Sequence, residues 1–394
     1  MKVIIKTLKA IVSLILVALL AVVATSVSLV YDFDSPKPFS GSEIFNPYSN
    51  FDSATGWSRA NFHTHTRVEG PLNECEYSPE QTLEFYDRFN YEIVTLSNHN
   101  EITPHPTSDT RVYEHGYNIA KFHKLVFGAE KEWRFDNLLP IFTFQKQFQI
   151  DRLSKQGDIV VINHPLRTHT MTERTMSRLS GYQIMELDSG KSTENSYWDA
   201  ALSAGRYCFG IANDDLHYPT RSHCIAVRSN MLCTDSADYS SIRDVLLSGC
   251  FYAMRTPDYG GGEWKVKSEG NKNIPYISNI GVTDCGEIYI TLSEVADSIK
   301  VTGQGHTTLA LAVAADSLGY KMAATDSYGR FTAYFADGEV IYSNPFARYD
   351  AAEAQSPFEI GYNVNLTLTI LFNLLLLALF LAVAMALYKV IRLW

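Results

Sequence analysis

The ends of this 394-residue chain constrain it most. Residues 11–31 (IVSLILVALLAVVATSVSLVY) and 364–388 (VNLTLTILFNLLLLALFLAVAMALY) contain no charged side chain. A helix crosses the hydrocarbon core of a bilayer in about 20 residues. Each run is long enough to do so, and whatever folds between them folds beside a membrane. The second run is apolar on every face, which argues against a core helix with one polar side. The first exceeds the roughly 7–15 apolar residues of a signal peptide, and "ATS" is a weak cleavage site. Its length therefore favours an uncleaved anchor over a removable leader. Lys2, Lys6 and Lys9 precede the first run, and Lys389 and Arg392 follow the second. The positive-inside rule puts both tips in the cytoplasm and the roughly 330 residues between them outside the cytoplasmic membrane. The expectation is two transmembrane helices, over 8–31 and 364–390, with the lipid bilayer as a partner.

Composition bounds the middle. Hydrophobic residues make up 46 % and charged residues 19 %, enough for a folded core. The net charge is −10, and the tips carry five of the positive side chains and no acids, which leaves the intervening part near −15. Such an acidic body is unsuited to gripping a long nucleic acid, which rewards clustered Lys and Arg. A small phosphorylated substrate at a metal remains compatible, because the metal supplies local positive charge. None of the six cysteines forms a CxxC, which disfavours a structural zinc site. Outside the cytoplasm disulfides are permitted, for example Cys224 with Cys233 or Cys250, with buried free thiols as the alternative.

Residues 32–58, rich in Ser, Pro, Asp and aromatics, form a linker. From 59 the chain alternates. "RANFHTHT" is strand-like, and "SPEQTLEFYDRFN" (78–90) is a helix with Ser78 as N-cap and Pro79 at N1. "YEIVTLSNHN" (91–100) completes a βαβ unit. "HKLVFGAEKEW" (123–133), "DIVVINHP" (158–165), "YQIMELDSG" (182–190) and "RYCFGIANDDLH" (206–217) continue as strands. A helix over 196–205 ends at Gly205. This α/β body occupies 59–258. Residues 259–348 alternate polar and apolar and turn at Gly, as in a small antiparallel sandwich.

Ligand-type residues fall at the strand ends in succession: His63 and His65, then His99, Glu130, His164, and Asp215 with His217, while Glu186 lies within a strand. In a β/α barrel such ends form one rim where side chains converge. Residues i and i+2 on a strand face the same way, so His63 and His65 can share an ion, and Asp215 and His217 repeat that geometry. Imidazoles and carboxylates without thiolate suit Mn²⁺, Zn²⁺ or Fe²⁺, and Glu130 is placed to bridge two ions. An isolated HxH or DxH more often decorates an exposed strand or loop. His105, His115, His123, His169, His223 and His306 keep that bland reading.

The stretches "NFHTHT", "SPEQTLEFY", "YEIVTLSNHN", "GAE", "INHP", "IMELDSG", "YWDAALSAG" and "ANDDLH" resemble the polymerase and histidinol phosphatase (PHP) superfamily of metal-dependent phosphoesterases over about residues 59–255. The resemblance implies a distorted (β/α)7 barrel with two or three divalent ions at its C-terminal rim. By position the ligands would be His63, His65, His99, Glu130, His164, Asp215 and His217. "LLSGCFYA" and "YSNPF" are similar to members with a β-sandwich after the barrel. Two departures stand out: Asn98 replaces an acid before His99, and "RVEG" lacks the usual element after HxH. The third ion would there rely on Glu69, with Glu74 and Glu76 as rivals.

The expected reaction is phosphate-ester hydrolysis outside the cytoplasmic membrane, by attack of a metal-activated hydroxide on phosphorus. His217 or Asp215 would protonate the leaving oxygen and Arg167 would hold a phosphate oxygen. The alternatives are a metal-dependent hydrolase of another bond and a non-catalytic, envelope-anchored binding module.

Overall fold

The computed structural model describes residues 2–189, 192–193, 196–354 and 356–392. Two helices, Lys2–Thr25 and Leu366–Arg392, are long and apolar enough to cross a membrane, and they pack on each other. The first stops at Thr25, short of the end of the apolar run. The chain then extends, and Tyr31–Phe33 pairs antiparallel with Tyr362–Val364. The hydroxyls of Tyr31 and Tyr362 both donate to the Asp151 carboxylate, at 3.3 and 3.1 Å, so both ends of the chain are tied to one point of the body.

The body is mixed α/β. In chain order its strands are β1 (Ser58–Asn61), β2 (Ile93–Val94), β3 (Val112–His115), β4 (Lys124–Phe127), β5 (Ile159–Ile162), β6 (Ile184–Ser189) and β7 (Phe209–Asn213). They continue as β8 (Arg228–Leu232), β9 (Phe251–Arg255), β10 (Ile277–Val282), β11 (Glu287–Gly303), β12 (Thr307–Lys321), β13 (Tyr328–Tyr334), β14 (Val340–Ser343) and β15 (Phe346–Tyr349). One sheet runs β7-β6-β5-β4-β3 and a second β10-β11-β13-β14-β9-β8-β1-β2. Gly190, at the end of the strand expected over 182–190, lies outside the described residues.

Local signals explain the elements. Ser78 accepts the Gln81 N–H and the Gln81 side chain accepts the Ser78 N–H, which closes a capping box on the helix Pro79–Tyr86. The helix Ser196–Ser203 ends before Gly205, whose φ of +74° and contact with the Lys37 carbonyl leave no room for a Cβ. Strand β5 (IVVI) is buried on both faces and pairs in parallel with β6.

The topology departs from the expected barrel in three ways. Strand β4 runs antiparallel to both β3 and β5, whereas β5, β6 and β7 are mutually parallel. No closed barrel forms by strand pairing among the described residues. The two sheets meet at isolated bridges, Thr64 with Leu216 and His99 with Glu114. The C-terminal strands are not a separate sandwich, because β14 pairs with β9 and extends the sheet that holds β1 and β2. Strand β9 is buried and needs a partner on each edge, and β8 and β14 supply them. The sequence WKVKSEGNK, expected within the all-β region, forms the helix Trp264–Lys272.

None of the six cysteines, all among the described residues, is joined in a disulfide. Cys233 and Cys250 are cross-strand neighbours, with the Cys233 N–H donating to the Cys250 carbonyl at 3.1 Å. Cys224 instead packs with Tyr86 and Phe89.

Candidate metal centre

The segment after β1 carries His63 and His65, and the segment after β7 carries Asp215 and His217. The two segments lie side by side: the His65 N–H donates to the Leu216 carbonyl at 3.0 Å and the Leu216 N–H to the His63 carbonyl at 3.3 Å. Alternation then sends HxH and DxH to one side. The rings of His65 and His217 stack with centroids 4.3 Å apart. Asp215 Oδ1 lies 3.2 Å from His63 Nε2, 3.4 Å from His65 Nε2 and 3.3 Å from His217 Nε2.

The carboxylate at the middle belongs to Glu114, near the end of β3. It lies 3.3 Å from His63 Nε2, 3.4 Å from His65 Nε2, 3.3 Å from His99 Nε2, 3.2 Å from His123 Nδ1 and 3.4 Å from His164 Nε2. Glu74 completes the far side, 3.3 Å from His99 Nε2 and 3.5 Å from His217 Nδ1. Three sets of potential ligand atoms each fall within 4.8 Å of one another: His63, His65, Asp215; His65, Glu74, His99; and His99, Glu114, His123.

Of the residues expected from sequence, His63, His65, His99, His164, Asp215 and His217 converge here. Glu130 does not. It is exposed beyond the C-terminal end of β4, and because β4 is reversed the other end, with His123, faces the centre. His123, given from sequence the bland reading of a residue on an exposed strand or loop, therefore belongs to the cluster. Glu69 is exposed and lines a side cleft, and it is Glu74 that meets the histidines. The sequence reading places no strand over "RVYEHG" (111–116) and so does not reach Glu114, which lies in β3. Its β-branched and aromatic residues between Thr110 and Gly116 were the available signal. Gly116 has a φ of +131°, and a Cβ there would come within 2.7 Å of the His123 ring, so this turn requires glycine.

Neighbouring groups orient the ligands. Glu186 accepts from His63 Nδ1 at 2.8 Å, from the His164 N–H at 2.8 Å and from Asn213 Nδ2 at 2.9 Å. That fixes His63 with Nε2 facing the cluster, the carboxylate–histidine support that metal ligands need. Asn98, in place of an acid, accepts the Thr66 N–H at 2.8 Å and donates to the hydroxyls of Thr66 and Thr103. It pins the loop that follows His65. His164 and Asp215 both have positive φ, 27° and 50°. Strained backbone of this kind concentrates at functional sites. His164 thus begins the tight turn Pro165–Arg167.

The electrostatics suit cations. Burial opposes charge on His63, but Glu114, Asp215 and Glu186 raise its pKa well above the ordinary value. Burial likewise opposes charge on His99, and Glu114 and Glu74 lift it to about 9. Burial disfavours ionised Glu114 and Asp215, yet the surrounding imidazoles hold both well below the usual carboxylate range. Glu74 is lowered to about 2, chiefly by its hydrogen bond with His99. His65 and His123 stay neutral through burial, His123 being pushed down to about 4. The buried Nε2 atoms of His63 and His65 make no well-aligned hydrogen bond, although carboxylate oxygens stand 3.2 to 3.4 Å away. Carboxylates that hold protons on imidazoles, beside neutral imidazoles with unused nitrogens, form a donor set that fits divalent metal ions.

Arg167 pairs with Asp215 and reaches a cleft of about 650 Å³. Glu74, His217, Tyr218 and Arg221 also line that cleft, with the Arg221 guanidinium 4.0 Å from the Tyr218 ring centre.

No protein-family model matches this chain, and no curated protein is matched. Among solved structures, it is similar to a two-domain protein from Bacteroides vulgatus containing a predicted PHP-like metal-dependent phosphoesterase. The likeness covers 78 % of this chain and 98 % of the other, at 13 % identity and a TM-score of 0.36.

Proposed function

We propose that this chain is a metal-dependent phosphoesterase, held at the cytoplasmic membrane by its two apolar helices with the metal centre on the extracytoplasmic side. The observation that carries this reading is the convergence of six histidines on Glu114, Asp215 and Glu74, with Arg167 at the rim. His63, His65 and Asp215 would hold one ion, and Glu114, His123 and His164 a second. Glu74, His99 and His217 offer a place for a third. Bound divalent ions supply an activated water and neutralise phosphoryl charge. Asp215 holds the Arg167 guanidinium beside the cleft, where its planar fork is suited to a phosphate oxygen. With no third ion bound, His217, only partly buried at the cleft, would give a proton to a leaving oxygen. Lys124 follows His123, and the hydrogen bonds of its ammonium go to the Phe122 carbonyl and to Gln149.

The test joins metal analysis of the purified chain to a screen of phosphomonoesters and phosphodiesters. Replacing His63 and His65 together by Ala should remove bound metal and hydrolysis in parallel. Hydrolysis that persists in the metal-free variant would overturn the assignment.

A further inference from the structure

One group of exposed apolar side chains on the body lies between the metal centre and the apolar helices. Ile119 is 60 % exposed, Ile141 53 % and Phe142 46 %, and Tyr117 and Leu166 are exposed as well. Backbone and side-chain contacts join them into one band. The Ile119 N–H donates to the Leu138 carbonyl at 2.9 Å, which ties it to "LLPIF" (138–142). The Thr170 hydroxyl donates to the Pro140 carbonyl at 3.0 Å and the His169 N–H to the Ala120 carbonyl at 2.9 Å. Both segments are thereby fixed to the turn that places Leu166 between His164 and Arg167.

The band has two ends. At one, Tyr117 and His99 line the same cleft of about 240 Å³, so the band reaches the metal centre. At the other it merges with the apolar helices. The rings of Phe142 and Phe144 meet Phe372 at 6.3 and 5.0 Å. The Leu138 N–H donates to the Thr25 hydroxyl at 3.2 Å, and the Asn137 amide donates to the carbonyls of Thr25 and Val27 at 2.6 and 3.2 Å. Phe372 is six residues into its helix, about 9 Å along the axis. Ile141 and Phe142 therefore sit level with the first turns of a membrane-crossing helix. A large contiguous apolar patch marks an interaction surface, and aromatic side chains favour the membrane–water boundary. Continuity with the helices identifies the bilayer as what covers it.

We propose that this band rests in the bilayer surface, so that the metal centre opens onto the membrane and takes a phosphoester carried on a lipid. The proposal builds on the phosphoesterase reading above and narrows its substrate class.

The test uses the full chain, loaded with Mn²⁺ and reconstituted in phosphatidylcholine vesicles. Four esters are compared at equal bulk concentration: dioleoyl phosphatidic acid and dioleoyl phosphatidylglycerol in the vesicles, dibutyryl phosphatidic acid and glycerophosphoglycerol in solution. At least one lipid-borne ester should be cleaved roughly tenfold or more faster than its soluble counterpart, because anchoring raises its effective concentration at the site. The double variant Ile119→Ser, Phe142→Ser should lose that preference while its rate on soluble esters stays unchanged. Soluble esters cleaved as fast as the lipid forms, or a lipid preference that survives in the variant, would overturn this proposal and leave the phosphoesterase reading in place. A metal-loaded chain that cleaves none of the four, nor a nitrophenyl phosphate, would end both.

Discussion

Glu114 Oε1 lies 3.2 Å from Nδ1 of His123, because β3 and β4 form an antiparallel pair with His115 opposite Lys124. The pairing turns the start of β4, not its end, toward the centre. Glu114→Gln should therefore lower bound metal and hydrolysis together, whereas Glu130→Gln should leave both unchanged. Elemental analysis of the two purified variants checks this. Equal losses would contradict the geometry.

Glu186 is hydrogen-bonded to the centre through His63 Nδ1 and the backbone of His164. Glu186→Gln should keep the fold and weaken metal affinity by about 10–100-fold, the usual cost of losing a partner behind a ligating histidine. A metal titration against a chelator gives the number.

Glu69, Glu74 and Glu76 compete from sequence for one role; among the described residues it is Glu74 whose carboxylate comes within 3.5 Å of both His99 and His217, while Glu69 shares a cleft with His99. Glu74→Ala should reduce metal stoichiometry while sparing the ions held by His63, His65 and Asp215. Glu69→Ala should match the parent protein in the same assay.

Gly116 carries a φ of +131° against the His123 ring. Gly116→Ala should cost about 1–3 kcal/mol of stability, the range for strained backbone at a non-glycine residue, and should push His123 from Glu114. A lowered melting temperature together with reduced metal content is the expected pair of readings.

Lys124 is buried, and desolvation lowers its pKa from 10.5 to about 8. Between those values the unfolded chain holds a proton that the folded chain has released, so this residue makes stability rise with pH across the window. The rise is on the order of 3 kcal/mol. Below it both states are protonated and the full penalty of a buried cation applies. Lys124→Met should therefore flatten stability against pH between about 8 and 10.5. Melting temperatures of parent and variant at pH 7.5 and 10 decide it: an equal pH dependence in both would show that Lys124 is not the titrating group.

The sequence by itself determined the local features of this protein. Two uncharged runs require apolar helices, Ser78 and Gln81 cap a helix, and the i, i+2 spacing of His63 with His65 and of Asp215 with His217 puts each pair on one side of its segment. Those are effects of neighbours within a few residues, and pattern alone reports them. Only the tertiary structure decided which carboxylate stands among the histidines, which acid meets His99, and which face of the body meets the apolar helices. The direction of β4 depends on pairing with β3 and β5, a contact between distant segments that no local spacing encodes. One reversed strand of four residues thus exchanged Glu130 for His123 and left Glu114 at the centre, because a strand's two termini lie at opposite ends of its sheet and only pairing chooses between them.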